Sequence, residues 1–347
     1  MVKKAQPLFA TQSCCIYKVP HSIRQLKEDA YTPKIISIGP LHHGNPRLVT
    51  MEAHKQVYCQ HLFQRSEASL SDLVSCVQQM EPQIRACYSE KINLTEDELV
   101  KVIFIDCCFI IEFFLRDEWM RNDVIPSKPW MDNQVRYDLI YFSYYNKQSV
   151  SPPAASSIAH FTDLIRYFCL PPSHPSRNPG LLVLGHGASE LFEAGVKFTV
   201  NESSSSHGCM LALEFKDATL RIPHIAVSGG TEIWLRNIVA LEQCHYPYEH
   251  YILDYVVFLG HIMKTSKDAV VFIKAEIIDC IFGGDCESKV AKLFGDVGKE
   301  TLVVNTNVDY LKIRDDLNAY YCQVSEKMKQ QNYIDEKLRI CLLYVNN

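Results

Sequence analysis

Residues that could bind a metal ion are concentrated near the N-terminal end of the sequence. This cluster comprises His42, His43, Glu52 and His54. Structural zinc sites use paired ligands at short fixed intervals, and the spacing here matches no such template. A second group with the same mismatch comprises Cys244, His245, His250 and His261. We therefore predict no metal-ligating residues and interpret these histidines as polar turn residues.

Two cysteines in the C-terminal half, Cys280 and Cys286, could do redox chemistry. They flank the turn formed by residues 283–285, and their separation is wrong for a CxxC redox pair. The chain has 14 cysteines, without the regular spacing of a disulfide framework in a short secreted protein. We predict reduced thiols that pack as small apolar groups, and a turn between two helices at 283–285.

Hydrolase chemistry would need a nucleophile held on a local turn such as the GxSxG elbow. Residues 185–189, Gly-His-Gly-Ala-Ser, come nearest, but they lack the second glycine at the required place. The sequence also has neither a GxxxxGKS/T loop nor a GxGxxG turn after a strand, so we predict no nucleotide site and no cofactor. We predict no catalytic residues, and an uncharacterised hydrolase stays an alternative.

Four acidic residues lie inside helical patterns, where burial could tune a carboxyl group for acid–base work. They are Asp106, Glu112, Glu232 and Glu242. Asp106 and Glu112 are six residues apart and so point in different directions on a helix, while Arg116 lies one turn beyond Glu112. Ion pairing is therefore our interpretation of these acids.

Composition excludes several classes of protein. A chain of 347 residues with 47% hydrophobic and 22% charged residues can bury a core without disulfides or metal. The net charge of -5 and the pI near 6.2 argue against nonspecific nucleic-acid binding, because no excess positive field would hold a phosphate backbone. Residues 1–10 contain no apolar stretch long enough for a secretory signal, so we expect a cytoplasmic protein.

Helical elements must position most of these residues. Leu70, Leu73, Val74 and Val77 follow the spacing of one helix face, which we expect to meet the core. Thr95 and Glu98 have the spacing of a capping box, which predicts the start of a long helix. The apolar stretch 102–115 within that helix is too short to cross a bilayer and predicts a buried core helix.

The middle of the chain changes in character. Prolines are frequent across 125–180, and they separate two helical candidates at Val135–Tyr145 and Ile158–Phe168. Next, residues 196–200 and 210–216 read as a hairpin around a serine-rich turn, and a third strand is predicted at Thr219–Ile222.

Helical patterns resume in the last third of the chain. Ile252, Tyr255, Val256 and Leu259 mark one helix face, and Thr265 and Asp285 are predicted caps of later helices. Residues 309–329 predict an amphipathic helix. The fold class is therefore mainly α (α+β), with a large helical core and a small antiparallel β insert near residues 196–225.

Three long strings resemble a known pattern. They are Tyr31–Gly44 (YTPKIISIGPLHHG), Asp106–Leu115 (DCCFIIEFFL) and Leu235–His245 (LRNIVALEQCH). Shorter matches follow in the same order at 160–164, 189–198, 222–223 and 290–294. Together they resemble the plant-specific family known as domain of unknown function 247, of the UPF0481 type. On this basis we predict a lead-in at 1–30, a single domain of this type at 31–304, and an amphipathic tail at 305–347.

The resemblance implies a family without an established enzymatic activity, typically held at the plasma membrane or another membrane by a C-terminal helix. Some members resemble determinants of pollen–stigma recognition. The sequence departs from the family pattern at two places. After Ile140 the family continues through a Glu-Asn-Gln-Ile/Leu-Pro-Phe-Phe string, whereas Tyr141 and further aromatic residues follow here, which predicts a deletion in the region 125–180. Residues 338–345 form an apolar run too brief to span a membrane.

These observations lead to one preferred function and two alternatives. We predict a noncatalytic protein-recognition or scaffold component, in cell–cell recognition of the pollen–stigma type, that binds protein partners and no nucleic acid. The alternatives are a hydrolase and a degenerate family copy without activity. Membrane association is expected only if the sequence stops short of a C-terminal anchor.

Overall fold

The computed structural model describes residues 13–67, 69–121, 158–171, 174–201, 209–281 and 283–345. Within these residues the chain forms eleven α-helices and three small sheets, which confirms the mainly α class with a small β insert. Contacts divide the chain into two compact units, residues 1–141 and 142–347. The predicted domain limits and the deletion stay predictions. The helix predicted at Val135–Tyr145 lies outside the described residues.

The first unit is helical in its described part. Two short 3-10 turns, at Glu28–Tyr31 and Pro40–His42, accompany four α-helices: α1 (His21–Arg24), α2 (Val49–Arg65), α3 (Leu70–Ala86) and α4 (Glu96–Arg121). The longest of these, α4, packs against both α2 and α3. It is therefore the central helix of this unit.

Helix α4 begins where the capping pattern predicts. The backbone N–H of Thr95 donates to the Glu98 carboxylate at 2.8 Å, and the N–H of Glu98 donates to the Thr95 hydroxyl at 3.3 Å. The predicted core stretch is confirmed by the burial of Val102, Cys108 and Phe109. Cys107, which lies within this predicted core stretch, is exposed because it lies on the opposite side of the helix from Phe109.

The face predicted for α3 is confirmed only in part, because Val74 and Val77 are half-buried. Leu70 and Leu73 are exposed, whereas the inward face runs through Glu81, which is buried. Arg85 binds Glu81 at 2.8 Å and also donates to the carbonyl oxygens of Ile92 and Leu94. Arg85 thereby ties one side of α3 to the segment that leads into α4.

The second unit contains the larger apolar core. Its helices are α5 (Phe161–Cys169), α6 (Ala188–Glu193), α7 (Gly229–His245), α8 (Tyr251–Ile262), α9 (Ser266–Lys274), α10 (Cys286–Val297) and α11 (Val308–Val345). Helix α8 lies at the centre, because its predicted face of Ile252, Tyr255, Val256 and Leu259 is fully buried. The helix predicted at Ile158–Phe168 is present as α5.

The strands of this unit form three small sheets. Their ranges are β1 (Arg177–Asn178), β2 (Lys197–Val200), β3 (Glu214–Lys216), β4 (Thr219–Ile222), β5 (Ile225–Val227), β6 (Ile278–Cys280) and β7 (Thr306–Asn307). The sheets pair β1 with β7, β5 with β6, and β2, β4 and β3 in that order.

The predicted hairpin has a different partner. Strand β2 pairs in parallel with β4, and β3 pairs antiparallel with β4, so the insert is a mixed sheet. The tight turn at Asp217 and Ala218, both with positive φ, makes β3 and β4 the local hairpin. The third strand predicted at Thr219–Ile222 is confirmed and is the central one.

The helix caps predicted at Thr265 and Asp285 are confirmed. The Thr265 hydroxyl accepts from the N–H of Asp268 at the start of α9, and Asp285 accepts from the N–H of Ser288 at the start of α10. The turn at 283–285 joins strand β6 to helix α10, so the prediction of a turn between two helices is wrong.

The predicted C-terminal helix is present as α11. Tyr310, Ile313 and Leu317 are buried and lie on one side of the helix, as its amphipathic pattern predicts. Over the described chain, we find no helix that is both long enough and apolar enough to cross a membrane.

Candidate functional site

The histidine cluster near the N-terminus does not form a metal site in the described residues. Glu52, the cluster's carboxylate, lies 2.8 Å from Lys55 and forms an ion pair with it. Burial, together with the charge of Arg24, lowers the pKa of His42. Across the described ranges, no three His, Cys, Asp or Glu side chains are placed so that they could hold a metal ion.

Asp106 links the first two sequence strings inside the first unit. Its carboxylate lies 2.5 Å from Lys55 Nζ and accepts the backbone N–H of Gly39 at 2.7 Å. Both charged side chains are almost completely buried. Burial raises the pKa of Asp106, while Lys55 and the Gly39 N–H act in the opposite direction. The carboxyl group therefore joins the 31–44 segment to α2 and α4.

Glu112 is the second buried acid of the first unit. Arg116 donates from Nε to Glu112 at 2.7 Å, which confirms the predicted ion pair. Arg65 from α2 binds the other carboxylate oxygen. Since the Glu112 side chain is fully buried and both of its oxygens are engaged, it lacks the free lone pair facing solvent that a general base needs.

Glu242, in the third string, is a buried and ion-paired acid of the second unit, as Asp106 and Glu112 are in the first. Its side chain is fully buried, and Arg166 on α5 donates to it at 3.0 Å. The backbone N–H groups of Ile252 and Leu253 donate to it at 3.2 and 2.8 Å. Burial raises the pKa of Glu242, against the opposing effects of Arg166 and these two N–H groups. Glu242 thus satisfies two otherwise unpaired donors at the start of α8.

The fourth acid, Glu232, pairs within its own helix. Arg236 donates from Nε to Glu232 at 2.9 Å, and the arginine side chain is almost fully buried. Each of the four acids singled out by the sequence therefore has a cation as partner. This confirms the interpretation of ion pairing for these residues.

Residues 185–189 form a helix start with no hydrolase geometry. The Ser189 hydroxyl donates to Asp268 at 2.7 Å, and Thr265 donates to the other Asp268 oxygen at 2.8 Å. His186, the nearest imidazole in sequence, lies 3.2 Å from Glu190 and stacks on Tyr321. The Asp268 carboxylate accepts four hydrogen bonds: the two from Ser189 hold α6 against α9, and the two from Thr265 cap α9.

A cleft of about 700 Å³ lies beside the β5–β6 sheet in the second unit. Its described lining comprises Val200, His224, Ile273, Glu276, Ile278, Asp279, Cys280, Cys286 and Glu287. The sequence analysis missed this site because its residues come from five separate segments. Acidic and apolar groups line it, and the only sulfur atoms in this lining belong to Cys280 and Cys286.

Cys280 and Cys286 form a disulfide, so the prediction of reduced thiols is wrong for this pair. The glycine-containing turn brings the end of β6 to the start of α10 and places the two Cα atoms 6.3 Å apart, within the range that a disulfide spans. Eleven further cysteines, from Cys14 to Cys322, form no disulfide.

The first unit also presents an exposed apolar stripe on α3, which we call the α3 stripe. It consists of Leu70 (55% exposed), Leu73 (38%), Cys76 (exposed) and Met80 (47%). These residues recur every three or four positions, which places them on one side of the helix. The sequence pattern predicted the helix, but it also predicted that Leu70 and Leu73 would face the core.

Comparisons with known proteins agree with the resemblance. The profile of a family described as plant protein of unknown function, DUF247, matches residues 16–143 and 141–345. The UPF0481 protein At3g47200 of Arabidopsis thaliana is 27% identical over 366 residues, covering 86% of this chain and 75% of that protein. A second UPF0481 protein of the same plant, At3g02645, is 36% identical over 99 residues, covering 28% of this chain and 19% of that protein. No solved structure matches significantly.

The fold defines a mainly helical protein of two compact units, in which Asp106, Glu112 and Glu242 form buried ion pairs. The chain belongs to the DUF247 family of plant proteins of unknown function. The two matched segments overlap at residues 141–143.

Proposed function

We propose that this chain is a noncatalytic recognition or scaffold component that binds another protein through the α3 stripe. The observation that carries the proposal is the exposure of Leu70, Leu73 and Met80 on one side of a 17-residue helix. Large apolar side chains that recur along an exposed helix face are typical of protein interaction surfaces.

The dimensions of the stripe suit a protein partner. From Leu70 to Met80 the helix advances by about 15 Å at 1.5 Å per residue. That length corresponds to about three turns, which is the usual extent of helix-in-groove recognition. The exposed part of α4 adds two further large apolar side chains to the same unit, those of Ile111 and Phe114. The partner is therefore a protein with an apolar surface rather than a small polar ligand.

The buried acids support a noncatalytic role. Asp106, Glu112 and Glu242 are each engaged by a cation and by further donors, so none of them is free to exchange a proton with a substrate. The hydroxyl of Ser189 donates to a carboxylate and lacks an imidazole partner among its hydrogen bonds. No described contact favours the hydrolase alternative.

The family resemblance supplies the biological setting of the proposal. It favours cell–cell recognition of the pollen–stigma type, with protein partners and at a membrane if an anchor follows this sequence. The net charge of -5 supports a protein partner over a nucleic acid.

Proximity labelling in reproductive tissue, with membrane fractionation, tests this function. A tagged chain is compared with the double variant Leu73→Glu/Met80→Glu and with the matched control Leu302→Glu, an exposed leucine of the second unit. We expect one set of proteins to be labelled by the unmodified chain and by the control, and to be lost with the double variant. Identical labelling by all three chains would contradict recognition through the α3 stripe.

A further inference from the structure

We propose that Cys280 and Cys286 form a reversible thiol–disulfide exchange site at the cleft of the second unit, with a dithiol as its reductant. The disulfide joins the last residue of β6 to the first residue of α10. Both sulfur-bearing residues are half-buried and line the cleft, so a small thiol reaches them from solvent. This inference is independent of the proposed protein recognition.

The state of the other cysteines points to a reversible bond. The described chain carries three exposed free thiols, Cys76, Cys107 and Cys322. Exposed thiols of this kind persist where the surroundings keep them reduced, and they are oxidised where the surroundings do not. A disulfide that a thiol can reach, in a chain that also keeps exposed thiols, belongs to the labile class, because accessible disulfides are the ones that exchange.

The fold around the pair does not depend on the bond. Ile278 of β6 is buried and pairs with Ile225 of β5, while Val290 and Phe294 hold α10 in the core. Gly284, with φ at +70°, lies in the turn between the two cysteines, and a Cβ added there would meet no atom within 4 Å. Cleavage of the disulfide therefore releases the turn at the mouth of the cleft and leaves the helix and the strand in place.

The exchange follows a defined path. A thiolate of the dithiol attacks Cys280 Sγ, and a new S–S bond forms as the Cys280–Cys286 bond breaks. The electron pair leaves on Cys286 Sγ. Cys286 is the first residue of α10, and the backbone N–H groups at this N-terminal end of the helix favour a negative charge. The second thiolate of the dithiol then attacks its own sulfur in the mixed disulfide and releases Cys280. The dithiol loses two electrons as a cyclic disulfide, and the two cysteines gain them and take up two protons.

Alkylation of the full chain tests the proposal. The chain is equilibrated with defined ratios of reduced and oxidised dithiothreitol, treated with iodoacetamide and analysed by peptide mass spectrometry. We expect Cys280 and Cys286 to gain their two alkyl groups together as the reduced fraction rises, while the circular dichroism spectrum stays unchanged. Amide hydrogen exchange is expected to increase in the turn at 283–285 and not in the core helix α8.

Two variants complete the test. The double variant Cys280→Ser/Cys286→Ser should lose the change in hydrogen exchange, and the control Cys322→Ser should retain it. The proposal is overturned if both cysteines are alkylated after equilibration with oxidised dithiothreitol alone. It is also overturned if they become reducible only in denaturant, or if reduction unfolds the core.

Discussion

The backbone N–H of Gly39 donates to Oδ2 of Asp106 at 2.7 Å, across 67 positions of sequence. This bond joins two of the strings on which the family resemblance rests. The third string contributes Glu242, which binds Arg166 and the start of α8. Asp106 and Glu242 therefore hold segments of the chain together in the interior. Because these acids are buried, we propose the exposed α3 stripe as the functional surface.

Replacement of Gly39 by alanine should destabilise the first unit. Gly39 has φ of +76°, and an added Cβ would lie 2.8 Å from the Tyr88 hydroxyl. We expect Gly39→Ala to lower the free energy of unfolding by about 1–2 kcal/mol for the left-handed backbone, with the clash in addition. Urea unfolding measures the change.

Gly44 provides the matched control for this variant. It has a similar φ of +79°, but nothing lies within 4 Å of an added Cβ. Gly44→Ala should therefore show the backbone effect alone. In addition, Tyr88→Phe should recover part of the loss caused by Gly39→Ala. Equal losses at Gly39 and Gly44, with no recovery by Tyr88→Phe, would count against the close contact.

Removal of the Glu242 charge should be costly because Arg166 would remain buried without its partner. We expect Glu242→Gln to reduce the free energy of unfolding of the second unit by about 3–5 kcal/mol. The double variant Arg166→Met/Glu242→Gln should lose less than the sum of the two single variants, as a double-mutant cycle measures. Additive losses would show that the two side chains do not interact.

Asp268 should make stability depend on pH in the acid range. Burial acts to raise the pKa of Asp268, but hydrogen bonds from Ser189 and Thr265 outweigh it and hold the pKa below its usual value. A carboxyl group with a lowered pKa in the folded state stabilises the protein above the unfolded pKa, and this contribution is lost as the pH falls through the folded pKa.

The variant Asp268→Asn tests this dependence. The difference in free energy of unfolding between the unmodified chain and the variant should be largest near neutral pH, and should shrink as the pH falls below about 4. A difference that is constant from neutral to acid pH would mean that the Asp268 charge is not stabilised by its donors. Ser189→Ala, which removes one donor, should give a smaller difference of the same sign.

Charges on the α3 stripe should be tolerated by the fold. Because Leu73 and Met80 are exposed, Leu73→Glu/Met80→Glu should change the free energy of unfolding by no more than about 0.5 kcal/mol per site. By contrast, Leu99→Ala, at a fully buried position of α4, should cost about 2–5 kcal/mol. A large loss in the double variant would mean that the stripe packs in the interior after all.

Much of the fold could be predicted from local signals in the sequence. The cap at Thr95, the cap at Asp285 and the ion pair between Glu112 and Arg116 each involve residues three or four positions apart, so spacing alone predicts them. The face of α8 was also predictable because a helix at the centre of a core is apolar on most sides.

Features that depend on distant partners could not be predicted in this way. The exposure of Leu70 and Leu73 depends on which distant segments pack over the first turns of α3, and residue spacing does not encode those segments. The pairing of β2 with β4 is parallel and skips β3, which alternation of side chains cannot specify. The disulfide depends on how the turn after Cys280 folds, and cysteine spacing does not encode that distance.

Site-specific photo-crosslinking tests the central claim most directly. A photoreactive amino acid is placed at Met80 on the α3 stripe and, as the matched control, at Leu302, an exposed apolar position of the second unit. We expect one defined protein to be crosslinked at position 80 in reproductive tissue, to be absent at position 302, and to be lost when Leu73→Glu is added. Equal crosslinking at the two positions, or none at position 80, would contradict protein recognition by this helix.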